Sequence, residues 1–313
     1  MYLLGVDEAG YGPNLGPLVI GASLWRIAEG EPPHDWYAAC ADCIAPAPDG
    51  ERLAIADSKA LYQAGGSLAP LEAGVFAALS LLGSAPCGWS ELLAALDSHG
   101  RAAACPWEAE LHPCTPQATE AEVNNTAAAR WGEALSRNGI EFQGLFVRLV
   151  FPAEWNRLLE RTGNKATALS ETTLELVAQV LARAPGKAHV VCDKHGGRSR
   201  YAALLQQRFP EYLVEVGHEG AEESCYAWGP RERRISFAFR RGGESFLPAA
   251  LASMAAKYVR ELSMQAFNAF WRREVENLRP TAGYPVDAAR FRRDIAAAQA
   301  RLGIEDHALW RNR

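Results

Sequence analysis

Residues 5–17 read Gly-Val-Asp-Glu-Ala-Gly-Tyr-Gly-Pro-Asn-Leu-Gly-Pro. Asp7 and Glu8 are adjacent carboxylates at the end of a short apolar run, at the mouth of a glycine-rich turn. An apolar strand ending in two anions calls for something cationic to meet them. Gly10, Gly12 and Gly16 let a ligand approach the backbone closely, and Pro13 and Pro17 stiffen the turn. Carboxylates beside an open backbone suggest a divalent metal and a phosphate-bearing substrate. A third acid, Asp193, ends the apolar run His189–Cys192, although it also reads as a turn residue before Gly196-Gly197. Cys40 and Cys43, with Cys105, His112 and Cys114 further on, lack the second close pair that a zinc site requires.

These acids need elements that bring them together. Tyr2–Val6 and Leu18–Trp25 read as strands close enough to pair. Gly144–Phe151 and His189–Cys192 read as further strands, with helices at Ala153–Arg161 and Lys165–Arg183 between them. Asp57 or Ser58 caps a helix, and Ala118–Arg137 and Arg200–Gln207 also look helical. Tyr212–Val216 and Arg234–Arg240 are β-rich, are separated by a Gly/Glu/Pro segment and could form a hairpin. Ser245–Trp271 reads as a long helix with Pro248 in its first turn, followed by a last helix at Asp287–Ala300. Strands alternating with helices predict an α/β fold with a mixed sheet, the first strands antiparallel and later ones joined by helical crossovers. Sites in such sheets collect at the carboxyl ends of strands. If the strands of Asp7 and Asp193 are parallel neighbours, their carboxylates lie close together.

The 313 residues, about half of them apolar, are enough for one large domain or two smaller ones. No stretch of about eighteen apolar residues occurs, so no membrane span is expected. No export signal is read at Met1. The seven cysteines are scattered and odd in number, so they read as reduced thiols in a cytoplasmic protein. Net charge is −5, yet residues 191–313 carry 20 Lys/Arg against 15 Asp/Glu. The arginine clusters there permit a phosphate-binding side while also fitting solvated faces.

The opening motif resembles that of type 2 ribonucleases H, where Gly-Ile/Val-Asp-Glu-Ala-Gly-Arg-Gly-Pro is followed by a further Gly-Pro. Ala56-Asp57-Ser58-Lys59-Ala60-Leu61 is similar to the family's Asp-Ser-Lys-Lys-Leu. Val190-Val191-Cys192-Asp193 resembles the strand delivering its third carboxylate, and Arg200-Tyr201 to Arg208-Phe209-Pro210 its Lys-Tyr…Phe-Pro run. Glu244-Ser245…Pro248…Ala252-Ser253-Met254-Ala255-Ala256-Lys257 resembles Asp-Ser…Ala-Ala-Ser-Ile-x-Ala-Lys, and Gly283-Tyr284-Pro285 its late Gly-Tyr-Pro. Trp310-Arg311 stands where the family often ends in a basic, aromatic tail. The matches run in order, apart from stretches around 85–145 and 215–242.

The resemblance implies a ribonuclease H-like mixed sheet flanked by helices, spanning 1–260 with insertions near 85–145 and 215–242, and a helical C-terminal extension, 261–313. It implies an endonuclease that hydrolyses the RNA strand of RNA/DNA hybrids with Mg²⁺ or Mn²⁺ and leaves 5′-phosphate and 3′-hydroxyl ends. Asp7, Glu8, Asp193 and Glu244 become the four catalytic carboxylates holding two metal ions, with Asp7 bridging. Gly10, Tyr11 and Gly12 would contact the ribose and phosphate at the scissile position, Lys59 and Lys257 other phosphates, and Tyr284 a sugar or base. Glu244 also fits a helix-start signal, Lys257 a snorkelling helix residue, and Tyr284 an ordinary packing residue. Glu222 and Glu223 compete with Glu244 for the fourth role. Tyr11 stands in place of the family's arginine and Glu244 in place of aspartate. His195 reads as a solvated loop residue or a proton shuttle. The full reading is a monomeric, cytoplasmic nuclease without membrane association. Its rivals are a nuclease for another structured nucleic acid, and a catalytically weak hybrid-binding scaffold.

Overall fold

The computed structural model describes residues 1–28, 33, 35–63, 65–96, 105–107 and 116–312, with Glu244 described by its backbone alone. His112 and Cys114 lie outside the described residues. Two apolar strands open the chain, β1 (Tyr2–Ala9) and β2 (Leu18–Ile27). Four short elements follow: α1 (Trp36–Ala39), β3 (Ile44–Ala45), β4 (Leu53–Ala54) and α2 (Ser58–Leu61). Asp57 caps α2 by accepting from the Lys59 N–H at 3.1 Å. Next come α3 (Ala69–Leu81), α4 (Trp89–Ala95), α5 (Ala121–Arg137), β5 (Ile140–Val150), α6 (Pro152–Thr162), α7 (Lys165–Leu181), β6 (Ala188–Asp193) and α8 (Ala202–Arg208). The chain then forms β7 (Glu215–Glu219), β8 (Glu223–Trp228) and β9 (Ile235–Arg240), and ends in α9 (Leu247–Glu274), α10 (Pro285–Leu302) and α11 (Asp306–Leu309).

Seven strands form one mixed sheet in the order β5-β2-β1-β6-β9-β8-β7. β1 is antiparallel to β2 and parallel to β6, and β6 is parallel to β9. The expected mixed sheet with crossover helices is therefore present. Two details differ. β1 continues through Asp7 and Glu8 to Ala9, because its ladder with β2 persists to the pairs Glu8↔Ile20 and Ala9↔Val19. The hairpin that 212–216 and 234–240 could have formed is absent. Glu223–Trp228 is itself a strand and lies between β7 and β9, turning Ser224, Tyr226 and Trp228 inward.

Alternation along the strands creates two cores. On one face, Leu3, Ala9 and Val19 pack with α3, α5 and α9; on the other, Leu4, Val6 and Ile20 pack with α7 and α8. A third cluster joins the end of α9 to α10 and α11, with Leu15 included. Helix α9 lies almost on the backbone of β1 and β2. A Cβ on Gly21 would sit 2.2 Å from the Ala252 carbonyl oxygen, and one on Gly5 would sit 2.1 Å from the Pro248 carbonyl carbon. Only hydrogen at those positions permits this approach. Ser23 Oγ fixes the helix start by donating to Pro248 O at 2.6 Å. No helix among the described residues is long and apolar enough to cross a membrane. Cys40 and Cys43 are buried free thiols in the α9-side core.

Candidate active site at the strand ends

The close seating of α9 brings a side chain to Asp7. Gly21 is the cross-strand partner of Asp7, and Ala252 rests on Gly21. The next residue, Ser253, therefore reaches the Asp7 carboxylate and hydrogen-bonds it. Ser253 Oγ also lies 3.0 Å from Ser58 Oγ, tying the capped α2 to the same point. Ser253 belongs to a matched motif, but nothing in its local sequence shows that it serves Asp7.

β6 delivers Asp193 beside Asp7. Val6 and Cys192 are register partners facing the same core, so the next residue of each strand turns to the α9 face. The Gly243 N–H points at Asp193 Oδ1 from 3.4 Å, and a Cβ on Gly243 would lie 3.3 Å from the Asp193 nitrogen. The backbone of residue 244 is thereby held next to the strand end; the Glu244 side chain lies outside the described residues. Glu8 alternates to the opposite face, where the Cys192 thiol feels its charge.

Asp7 is 8 % exposed. Burial pushes its carboxyl up to about 7 against the lowering effect of the Ser253 hydrogen bond, and the Asp193 charge adds to the rise. Glu8 is raised well above the carboxylate range by burial, then by Asp7 and Asp193. Lys59 is near enough to oppose both shifts. The donors are mutually repelling oxygens, Asp7 buried and Glu8 and Asp193 partly so, which fits a hard divalent cation such as Mg²⁺ or Mn²⁺. Among the described residues, no three His, Cys, Asp or Glu side chains are already grouped as ligands of one ion. Asp7 and Asp193 share one face, and Glu8, on the other, still feels the charge of both.

The glycine loop borders these acids. Gly10 has φ +89° and packs so tightly that a Cβ would meet Arg260 Nε at 2.5 Å. Gly283 O accepts from the Asn14 and Leu15 N–H groups at 2.8 and 3.3 Å. This brings Tyr284, 54 % exposed, alongside the loop, its Cε1 lying 3.7 Å from where a Gly12 Cβ would be. Tyr11 meets the Trp155 ring edge-on with centroids 6.4 Å apart, and Lys165 Nζ, at the start of α7, lies 4.5 Å over its ring. Burial raises the Tyr11 phenol, Glu8 raises it further, and Arg198 lowers it. The sequence contains no local sign that Lys165 joins Tyr11.

Other candidates are engaged elsewhere. Lys257 Nζ binds Glu261 at 2.7 Å and lies 4.9 Å over the Tyr62 ring. Glu223 pairs with Arg240 at 2.8 Å and Glu222 with Arg241 at 3.3 Å. His195 is neither solvated nor poised as a shuttle. It is fully buried, with Nδ1 2.9 Å from Ser170 Oγ and Nε2 3.6 Å from Cys192 Sγ. Burial, then Arg198, holds it down to about 3, so the ring is neutral at ordinary pH.

No family model matches the sequence, and no curated protein matches it. Among solved structures the chain is similar to ribonuclease H2 from Pyrococcus horikoshii, at 14 % identity over 99 % of this chain and 92 % of that one, with a TM-score of 0.45. It is also similar to the ribonuclease HII in a complex with PCNA from Archaeoglobus fulgidus (15 % identity, 100 % and 95 % covered, TM-score 0.41). A third likeness is to Bst ribonuclease HIII in complex with Mn²⁺ (17 % identity, 99 % and 66 % covered, TM-score 0.42).

Proposed function

We propose that the chain is a divalent-metal-dependent endonuclease that hydrolyses the RNA strand of RNA/DNA hybrids. The observation that carries this reading is the placement of buried Asp7 and of Asp193 at the ends of adjacent parallel strands, beside a glycine loop. Asp7, Glu8, Asp193 and Glu244 would hold Mg²⁺ or Mn²⁺. Bound there, divalent ions supply the positive charge that stabilises a pentavalent phosphorus and lower the pKa of water.

The chain's own groups supply the rest. Ser253 holds the Asp7 carboxylate in one orientation, and the Gly243 N–H does the same for Asp193. Lys59 brings an ammonium within range of the acids, suited to a single phosphate oxygen. The Tyr11 and Gly12 N–H groups have no acceptor among the described residues, and fixed backbone donors suit recognition of a ribose 2′-OH. The exposed Tyr284 ring beside Gly12 offers a stacking surface for a sugar or base.

Tyr11 favours a second reading within the nucleases. Its ring is covered by Lys165 and the Trp155 edge, so the loop presents an aromatic–cation pair where a guanidinium fork would read a junction. That pairing suits a different structured nucleic acid. A panel of a long hybrid, a duplex with one embedded ribonucleotide and a DNA flap, each with Mg²⁺ and Mn²⁺, separates the two. Cleavage of the long hybrid that is lost in Asp7→Asn supports the first reading; cleavage of the flap alone supports the second. No cleavage of any member overturns the enzyme and leaves a binding protein.

A further inference from the structure

Arg311 is 1 % exposed, and its guanidinium has no carboxylate partner among the described residues. Its Nε and Nη1 bond nothing there, and Arg260, a second buried cation 2 % exposed, repels it. Burying a cation this way costs stability. The hydrogen bonds that its guanidinium does make among the described residues both go to the glycine loop.

Arg311 Nη2 donates to the carbonyl oxygens of Gly10 and Pro13. The Arg311 N–H donates to Asn14 O at 2.8 Å, and Asn14 Nδ2 returns a bond to Arg311 O at 3.0 Å. Leu15 and Trp310 form an antiparallel bridge. Residues 310–311 thus run along the loop as a strap. α6 anchors the strap: Asn156 Nδ2 donates to Trp310 O at 2.8 Å, Asn156 Oδ1 accepts from the Asn312 N–H at 2.8 Å, and Trp155 Nε1 donates to Asn312 O at 3.1 Å. The Trp155 ring that meets Tyr11 also carries the Arg311 guanidinium, 5.7 Å from its centroid.

The loop is therefore polarised. Its Gly10 and Pro13 carbonyls are turned into the protein and satisfied, whereas the Tyr11 and Gly12 N–H groups have no acceptor among the described residues and Gly12 is exposed. A peptide flip at the loop would reverse this order, presenting acceptors in place of donors.

We propose that Arg311 is a positioning residue: by holding the Gly10 carbonyl inward it keeps the Tyr11 N–H of the same peptide available to the ribose hydroxyl of a bound strand, and by holding Pro13 O it pins the far end of the turn that carries Gly12. The substrate half of this inference rests on the nucleic-acid reading above; the loop-holding half does not. Arg311 reaches no reacting atom. Its effect is on which strand the loop accepts.

The test compares Arg311→Lys and Arg311→Met with Asn156→Ala, which frees the strap without altering its residues. Amide exchange of Asn14 and Leu15, the loop N–H groups that Gly283 O protects, is followed in the free protein. KM and kcat are measured with ribose or 2′-O-methyl ribose at the cleavage position. Both Arg311 variants are expected to speed loop exchange about tenfold or more while exchange in β1 and β6 stays unchanged. They are expected to raise KM for the ribose substrate about tenfold with kcat within about threefold, narrowing the preference for ribose. Asn156→Ala moves both readouts in the same direction by a smaller factor, and keeps the test open if Arg311→Met fails to fold. Loop exchange and ribose preference both within about twofold of wild type in Arg311→Lys and Asn156→Ala would overturn the proposal. If wild type cleaves nothing, the nuclease reading fails, and loop exchange still decides whether Arg311 holds the loop.

Discussion

Replacing Asp7 by asparagine is expected to stabilise the chelator-stripped protein while destroying its activity. Burial and the neighbouring Asp193 raise the Asp7 carboxyl from 3.8 to about 7. That is about three pKa units at roughly 1.4 kcal/mol each, or about 4 kcal/mol of cost for the ionised form. The sign follows from proton binding. Between about pH 4 and 7 the folded state holds a proton that the unfolded state has released, so wild-type stability falls as pH rises through that window. Asparagine removes the titration but makes a poorer partner for Ser253, worth about 1 kcal/mol. The net gain is about 3 kcal/mol at pH 8, or about 6 °C in Tm for a chain of this size, and it vanishes below about pH 4. Thermal melts in EDTA across pH 4–9 read this directly. Adding Mg²⁺ should then raise the wild-type Tm and leave Asp7→Asn unchanged. A variant less stable than wild type at pH 8 in EDTA would refute the view that these acids are strained until a cation joins them.

Three further outcomes follow from the same geometry. Gly21→Ala places a Cβ 2.2 Å from the Ala252 carbonyl, so α9 must shift; urea denaturation should show a loss of about 2–3 kcal/mol or more, with cleavage falling as Ser253 leaves Asp7. Ser253→Ala removes the hydrogen bond that orients Asp7 and should weaken Mn²⁺ binding by about tenfold, measured by calorimetry, with little change in Tm. His195 is buried neutral, its pKa depressed to about 3; stability present above about pH 6.5 is lost progressively as pH falls towards 3, because only the unfolded chain takes up the proton. In His195→Gln the slope of stability against pH over that range should flatten in equilibrium urea melts.

What could be read from the sequence was what depends on local pattern. The apolar run before Asp7, the run before Asp193 and the crossover helices between them showed what parallel neighbours would bring together, and β1 and β6 meet that condition. The continuation of β1 through two acids was not legible, because it depends on the β2 ladder and not on the residues themselves. β8 was missed because its inward Ser224, Tyr226 and Trp228 sit among Gly, Glu and Pro, which read as a turn. His195, in Lys-His-Gly-Gly, looked solvated; Ser170 and Cys192 close over it only in three dimensions. Ser253 and Arg311 act on positions more than two hundred residues away, so no window along the chain could reveal them.

The most direct test of the central claim is calorimetric titration of Mn²⁺ into chelator-stripped wild type, Asp7→Asn and Asp193→Asn. Saturable binding in wild type that disappears in both variants is the predicted result. Equal binding in all three would mean that the two acids do not hold a common ion, and the account of a metal-dependent nuclease would be contradicted.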